Sequence, residues 1–501
     1  MIKAPIKPTR KVPSSSPSGA SVVVRRAVAT LVALALSVAV VVSIDTPDVA
    51  DIAPLFCFAI FLQFVPILWD RSADPFSPPC LSGFLSAVAL VAGLAYYVHN
   101  GAIEIVLLPQ LNAAARKELI QIVVIAYCVG TLSYYAGYYL SWGKKLKGMM
   151  PNIAGAEWDR GRLVFACVVC IALFLPAYVF FQGRVGTELT DITRLSAGKA
   201  VWREEPTLSW LNRAVGFGFL PIHFFVALSL PKPRTRNVIL ALLAMVVMSV
   251  LITRLGQRGT AVFFGMTVLI VIHYLYRRVP STLLFGLTFV AMIAVNTLGA
   301  YRQSAPNEAA ISEAKSFSPI QVLANHEADR QRMAALAVVF DTFPRQKDHL
   351  LGESWAAIPV TFVPRWLWPE KRNLFMWRDT AIIWNLVGAP VPTSYLGLLY
   401  VNFSWIGIVG GMFGWGLFHR GLYEWLLANQ KDRSVVLLYS SIVLFFGLTL
   451  LQMSATIQFA LPAWAIIVFI RRRRRVANAR TAMKPPPPPR PPTEPALPAP
   501  L

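Results

Sequence analysis

Charge is what this chain of 501 residues has least of. Acidic and basic residues together make up 14%, and hydrophobic residues 56%, whereas a soluble domain carries about a quarter charged residues. A large soluble enzyme is excluded and a polytopic membrane protein remains. Acidic residues are the scarcer sign, 25 against 47 basic, for a net charge of +22. In a soluble chain that excess would suggest nucleic acid. In a membrane chain it reads as cytoplasmic loops facing anionic lipid, with no nucleic-acid partner. Cysteine is also sparse. Cys57, Cys80, Cys128, Cys167 and Cys170 all lie in or beside apolar runs, so no external disulfide is implied. Cys167 and Cys170 form a CxxC within an apolar helix and read as buried small residues rather than a redox or metal pair. There is no GxxxxGK[ST], which excludes a P-loop ATPase. There is no HExxH and the six histidines are scattered, so no zinc protease is indicated. No cofactor and no metal are expected.

What the chain has is apolar runs. The first 20 residues are basic and rich in Pro and Ser, and residues 1–26 are expected to be disordered. Arg25-Arg26 then precede a run over 27–42, read as a retained anchor because no small-x-small cleavage site follows. Further runs cover 52–69, 81–98, 119–140, 163–181, 210–230, 238–253, 261–276, 281–300, 396–418, 435–451 and 455–470. The expectation is an all-α membrane domain over 27–470 with about 12 transmembrane helices. The tail, 471–501, is basic and holds Pro485–Pro489, an extended solvated segment rather than an SH3 ligand.

With the N-terminus in the cytoplasm, the inner side receives 28 basic and 7 acidic residues, and the outer side 19 and 18. Every short inner loop carries a basic residue, which places both termini inside. Two outer loops, 182–209 and 301–395, are too long to be connectors. The second holds Trp355, Trp366, Trp368, Trp377 and Trp384. It also has a stretch over Ile320–Phe340 with Ile320, Leu323, Met333, Leu336 and Phe340 at helical spacing, and Glu327, Asp329, Arg330 and Arg332 between them. That pattern predicts an interfacial helix lying on the outer leaflet.

The outer side also carries the chemistry. Arg254 and Arg258 sit in Thr253-Arg-Leu-Gly-Gln-Arg-Gly259 between two apolar runs, where an arginine costs about 2.5–3.5 kcal/mol at bilayer depth. Two guanidinium groups and the amides of a Gly-flanked helix start suit an anion. The bland alternative is a short hairpin whose arginines snorkel to headgroups. In the first long loop Arg184, Arg194, Lys199 and Arg203 alternate with Glu188, Asp191, Glu204 and Glu205. Mixed charges beside many aromatics suit carbohydrate, whose hydroxyls need donors and acceptors and whose faces stack on rings. A cation channel would show acidic rings instead.

The segment Pro364-Arg-Trp-Leu-Trp-Pro-Glu-Lys371 has a Pro-Arg-x-x-Trp-Pro-x-Lys pattern. Gly352-Glu-Ser-Trp355 precedes it. Pro392-Thr-Ser-Tyr-Leu-Gly-Leu-Leu-Tyr-Val-Asn-Phe-Ser-Trp-Ile-Gly407 follows, then Gly410, Gly411 and Gly414. This order resembles the bacterial oligosaccharide repeat unit polymerases, the Wzy-type O-antigen polymerase group, over roughly residues 250–420. Arg258-Gly259 opening a helix is similar to that family too. One departure stands out: Ser404-Trp405 occupy the place where many members read Gly-Leu.

The resemblance implies a GT-C-like fold whose long outer loop forms short helices. It implies an inverting, metal-independent glycosyltransferase in the bacterial inner membrane. Such an enzyme joins undecaprenyl-pyrophosphate-linked oligosaccharides into a surface polysaccharide (O-antigen, capsule or exopolysaccharide). A chain-length regulator and a flippase of the same pathway are its expected partners, besides membrane lipid. Positioned guanidinium groups would stabilise the leaving pyrophosphate. On this reading Arg258, Arg365, His326 and Glu353 are the catalytic candidates, with His326, Glu327 and Glu353 unranked as the base that the attacking hydroxyl needs. Arg254, Arg194, Arg203, Arg330, Lys371, Trp366, Trp368, Tyr395 and Asn402 are the substrate-binding candidates. Pro364 and Pro369 make their segment extended or turned. It serves either to hold Arg365 and Lys371 toward the site or to anchor tryptophans at the headgroups. Asp45, Asp48 and Asp51 in the first outer loop read as an acidic connector rather than the metal-bound carboxylates of some lipid-dependent glycosyltransferases. The alternatives are an O-antigen ligase, and a transporter or flippase for the same lipid.

Overall fold

The computed structural model describes residues 47–69, 74–105, 108–155, 157–185, 214–230, 234–254, 258–280, 283–284, 324, 332–353, 367–368, 394–445 and 453–472. Helix dominates them. Ten of the apolar runs coincide with helices: α1 (Pro47–Trp69), α2 (Pro78–Asn100), α3 (Ala113–Tyr139), α4 (Arg160–Val185), α5 (Phe219–Ser229), α6 (Thr235–Arg254), α7 (Arg258–Leu275), and, after the short α8 (Arg332–Thr342), α9 (Tyr395–Ala428), α10 (Arg433–Phe445) and α11 (Met453–Ile470). The run at 27–42 and nearly all of that at 281–300 lie outside the described residues.

Local chemistry sets the helix ends. Ser77 and the pair Pro78-Pro79 open α2, and Gly101, at φ 61°, closes it in the left-handed conformation. The Asn112 side chain caps α3 by accepting from the Ala115 amide at 2.8 Å. Ser394 caps α9 by accepting from the Gly397 amide at 3.2 Å.

Six described helices are long and apolar enough to cross a membrane: α1, α2, α3, α4, α6 and α9. Two of them turn large hydrophobic side chains outward. On α4, Val164, Phe165, Val168 and Val179 are each 57–65% exposed, and on α6 Ile239, Leu242, Leu243 and Val246 are 58–60% exposed. A face of that size and polarity is stable only against hydrocarbon, so the chain is membrane-embedded.

The interior divides into two apolar clusters. One joins the first part of α1, the last part of α2 and the first parts of α3 and α9 with all of α8, through Phe56, Leu94, Tyr97, Ile120, Val124, Leu336, Val339 and Leu399. The other joins Phe76, Tyr138, Leu163, Phe219, Phe264, Val271, Leu422, Val436, Leu438 and Ile467. Helix α3 and the part of α9 after residue 404 lie side by side in contact. A Cβ on Gly137 would lie 2.0 Å from the Phe413 carbonyl oxygen, and one on Gly416 would lie 2.2 Å from that of Tyr134. Only glycine permits this approach.

Loops of like predicted sidedness meet. At the basic end, β1 (Glu157–Trp158) pairs antiparallel with β2 (Arg471–Arg472). The Gly155 amide donates to Asp432 at 2.6 Å and the Trp158 indole to Ser434 at 2.8 Å. The Arg162 amide and the Arg472 guanidinium hold the Asp159 carboxyl below the usual carboxylate range. At the opposite end Lys117 pairs with Asp51. That gathering is what the hydropathy parity requires of these loops. None of the five cysteines is in a disulfide, and Cys167 and Cys170 sit within α4.

The structure corrects the helix read from Ile320–Phe340. Its described part, α8, does not lie on a surface. Met333, Ala335, Leu336, Ala337, Val338 and Val339 are fully buried among α2, α3 and α9. The segment Met-Ala-Ala-Leu-Ala-Val-Val-Phe340 is apolar on every side, and such a helix goes inside.

Candidate functional site

Helix α9 is broken where the resemblance departs from its family. Phe403 (φ −140°, ψ 20°) and Ser404 (φ 58°, ψ −151°) leave helical geometry in mid-helix. The Ser404 conformation is one that glycine adopts readily and other residues adopt at a cost of about 1–3 kcal/mol. A break within an apolar helix frees carbonyls that hydrocarbon cannot satisfy.

The segment after α8 satisfies them. The Leu350 amide donates to the Val401 carbonyl at 2.9 Å, and the Leu351 amide to the Asn402 carbonyl at 3.0 Å. The Gly352 amide donates to Asn402 Oδ1 at 3.1 Å. Asn402, fully buried, returns its Nδ2 to the Leu398 carbonyl at 2.7 Å. Leu351 (φ 45°) and Gly352 (φ 96°) take left-handed conformations to make this clasp. Two segments that carry the resemblance, Gly352-Glu353 and Tyr400-Val-Asn-Phe-Ser404, are thus laid against each other across about 50 residues of sequence.

Around the clasp stands an aromatic wall. Phe340 lies 4.3 Å from Tyr400 and stacks on Trp405 at 5.6 Å. His349 stacks on Phe343 at 6.1 Å and meets Tyr400 edge-on at 5.4 Å. The Tyr400 hydroxyl donates to the Phe343 carbonyl at 3.2 Å. Charge enters at the rim, where exposed Arg345 pairs with buried Asp341 at 3.4 Å. Phe340, Phe343, Tyr400 and Asn402 are buried and spend their surfaces on one another, which leaves Trp405 and His349 half-buried and Arg345 exposed at the rim.

Of the residues named from sequence, the structure brings Asn402 and Glu353 to this place, Asn402 in the clasp and Glu353 exposed beside it. Tyr395 opens the same helix and packs on Trp415 at 5.5 Å, which makes it part of the helix packing. Arg254 ends α6 and Arg258 begins α7, so the pair flanks a three-residue connection between packed helices. Leu367 and Trp368 are in a turn and a loop, both exposed, in keeping with the non-helical expectation for Pro364–Lys371. Arg194, Arg203, His326, Arg330, Arg365, Trp366 and Lys371 lie outside the described residues. The sequence reading missed His349 and noted Ser404 only as a departure from the family pattern. The signal for Ser404 was its place in a glycine position. His349 gave none, because its partners come from α9.

A second polar cluster lies at the basic end. Asp74 accepts from the His273 Nε2 at 3.3 Å, the Tyr274 hydroxyl at 2.5 Å, the Tyr423 hydroxyl at 3.1 Å and the Phe76 amide at 2.9 Å. Burial pulls the carboxyl up, but the donors from His273, Tyr274 and Phe76 outweigh it and hold it below the usual range. His273 Nδ1 also accepts from the Val279 amide at 2.9 Å, which turns Nε2 toward Asp74. This cluster ties the loop before α2 to the ends of α7 and α9. Among the described residues no group of three His, Cys, Asp or Glu side chains gathers as metal ligands.

Comparison with protein-family models, with curated proteins and with solved structures returns no match.

Proposed function

We propose that this protein is a glycosyltransferase of the bacterial inner membrane that polymerises undecaprenyl-pyrophosphate-linked oligosaccharide units on the outer face. It belongs in this reading with the Wzy-type polymerases, with about 12 spans, a GT-C-like arrangement and both termini in the cytoplasm. The observation that carries it is the pairing of Gly352 with Asn402 at the break in α9. Segments that resemble the polymerases meet there, beside the half-buried rings of Trp405 and His349. Arg254 and Arg258, at a helix junction within the apolar domain, supply the guanidinium groups that a departing pyrophosphate needs. The inverting reaction needs no metal if those cations take up the developing charge. The growing glycan passes to a hydroxyl at the free end of another lipid-linked unit, and the lipid pyrophosphate leaves.

A transporter of the same lipid is the second reading, favoured by the broken α9, since discontinuous helices mark many transport sites. A ligase shares the donor but transfers to lipid A core. Deletion of the gene separates the three. Loss of a polymerase leaves surface glycan one repeat unit long. Loss of a ligase leaves full-length polymer on the lipid carrier. Loss of a flippase leaves single units facing the cytoplasm.

A further inference from the structure

We propose that His349 is the general base of the glycosyl transfer, taking the proton from the attacking sugar hydroxyl at Nε2. The proposal rests on the polymerase reading and deepens it by naming a group that the sequence left unidentified. Three observations carry it. First, the Val401 carbonyl can only accept, so the 3.3 Å contact to His349 Nδ1 places the proton on Nδ1. In the neutral ring Nε2 then carries the lone pair, and no described residue donates to it. Second, the ring is held. Phe343 stacks on one side, Tyr400 meets it edge-on, and the chain on either side of it is tied to α9 by the Leu350 and Tyr400 hydrogen bonds. Third, the residue is only half-buried and lies at the clasp, within the segment that pairs with the α9 break.

The Val401 carbonyl, which accepts from the Leu350 amide, has a second lone pair open to His349 because α9 breaks one residue beyond Asn402. In an intact helix Val401 would be spent on a backbone amide four residues on. The break, the clasp and the imidazole tautomer are therefore one arrangement. The charged groups nearby are Asp341 in the last turn of α8 and Arg345 just after it, with Lys347, Asp348 and Glu353 on the His349 segment itself. Glu353 is exposed, and its carboxylate accepts no hydrogen bond from a described residue. It is the poorer base on both counts.

The step balances without a further reactant. The hydroxyl proton moves to Nε2, the hydroxyl oxygen bonds to the anomeric carbon, and the anomeric C–O bond to pyrophosphate breaks with its electron pair going to the phosphate oxygen. The imidazolium then loses its proton to water.

The test uses the purified full chain in proteoliposomes, with a synthetic polyprenyl-pyrophosphate oligosaccharide as substrate. His349→Asn keeps a donor for Val401 but has no basic nitrogen. It should lower kcat about a hundredfold or more with KM little changed. The limb of the wild-type pH profile that falls on the acid side should vanish in the variant. Imidazole added to His349→Gly should restore turnover in part, which a merely structural role would not show. His349→Gln serves if the Asn variant does not fold. A wild-type ladder with undiminished kcat in the folded variants would overturn the base and leave the polymerase reading intact. No ladder from the wild-type protein would overturn both.

Discussion

The Gly352 amide donates to Oδ1 of Asn402 across 3.1 Å, and Asn402 itself is fully sealed from solvent. This hydrogen bond between a loop glycine and a mid-helix asparagine, with the Leu350 and Leu351 amide bonds, joins the segment after α8 to α9. Substituting Asn402 by Leu removes this bond and the one to Leu398, and strands the Gly352 amide. The expected cost is about 1–3 kcal/mol, read as a lowered melting temperature in detergent, with loss of polymer in cells. Gly352→Ala should act in the same direction, because φ is 96° and the new Cβ would sit 3.2 Å from the Phe403 ring.

Ser404→Gly should have the opposite sign. Relief of the strained φ and ψ outweighs the entropy that glycine gains when unfolded, for a net stabilisation of about 1 kcal/mol. A raised melting temperature with polymer retained is the expected outcome. Ser404→Ala keeps the strain and should give no such gain.

Asp74 gives the fold an acid limit. Its carboxyl is depressed in the folded chain, so the stabilisation is fully present above the ordinary carboxylate pKa of about 4 and is lost as pH falls through the lower folded value. Melting temperature should therefore drop below about pH 4. Asp74→Asn should show a lower melting temperature at neutral pH and a smaller drop in acid, since the amide turns a donor toward other donors.

How much of this was legible from sequence follows from what each element depends on. Runs such as 119–140 and 163–181 declare themselves because hydrocarbon demands long apolar helices, and α3 and α4 fall on them. Asn402 and Glu353 were named because they stand in recognisable segments. The burial of α8 was not legible, since Arg330 and Arg332 beside it gave the window an amphipathic look while Met333–Phe340 alone decides where the helix goes. Asp74 counted only as one acid in an inner loop. Its hydroxyl donors come from α7 and α9, 200 and 349 residues away, and no local pattern encodes such a meeting.

Sidedness is tested by single cysteines in a cysteine-free background. Cysteines at Ser196 and Ser316 should react with an impermeant maleimide in intact cells, and a cysteine at Ser141, at the basic end, only after permeabilisation. The reverse pattern would turn the clasp toward the cytoplasm, away from any outward-facing lipid-linked glycan.

The most direct measurement is polymer formation by the purified protein. Given a polyprenyl-pyrophosphate repeat unit in proteoliposomes, with no nucleotide, the wild-type chain should produce a ladder of glycans spaced by one unit, with lipid pyrophosphate released. Arg258→Ala and Arg365→Ala should each lower the rate by about 30-fold or more, as loss of a charged partner at a phosphate does, and Lys at either place should restore it only in part. A wild-type protein that leaves the unit unextended, or an undiminished ladder from both alanine variants, would contradict the account.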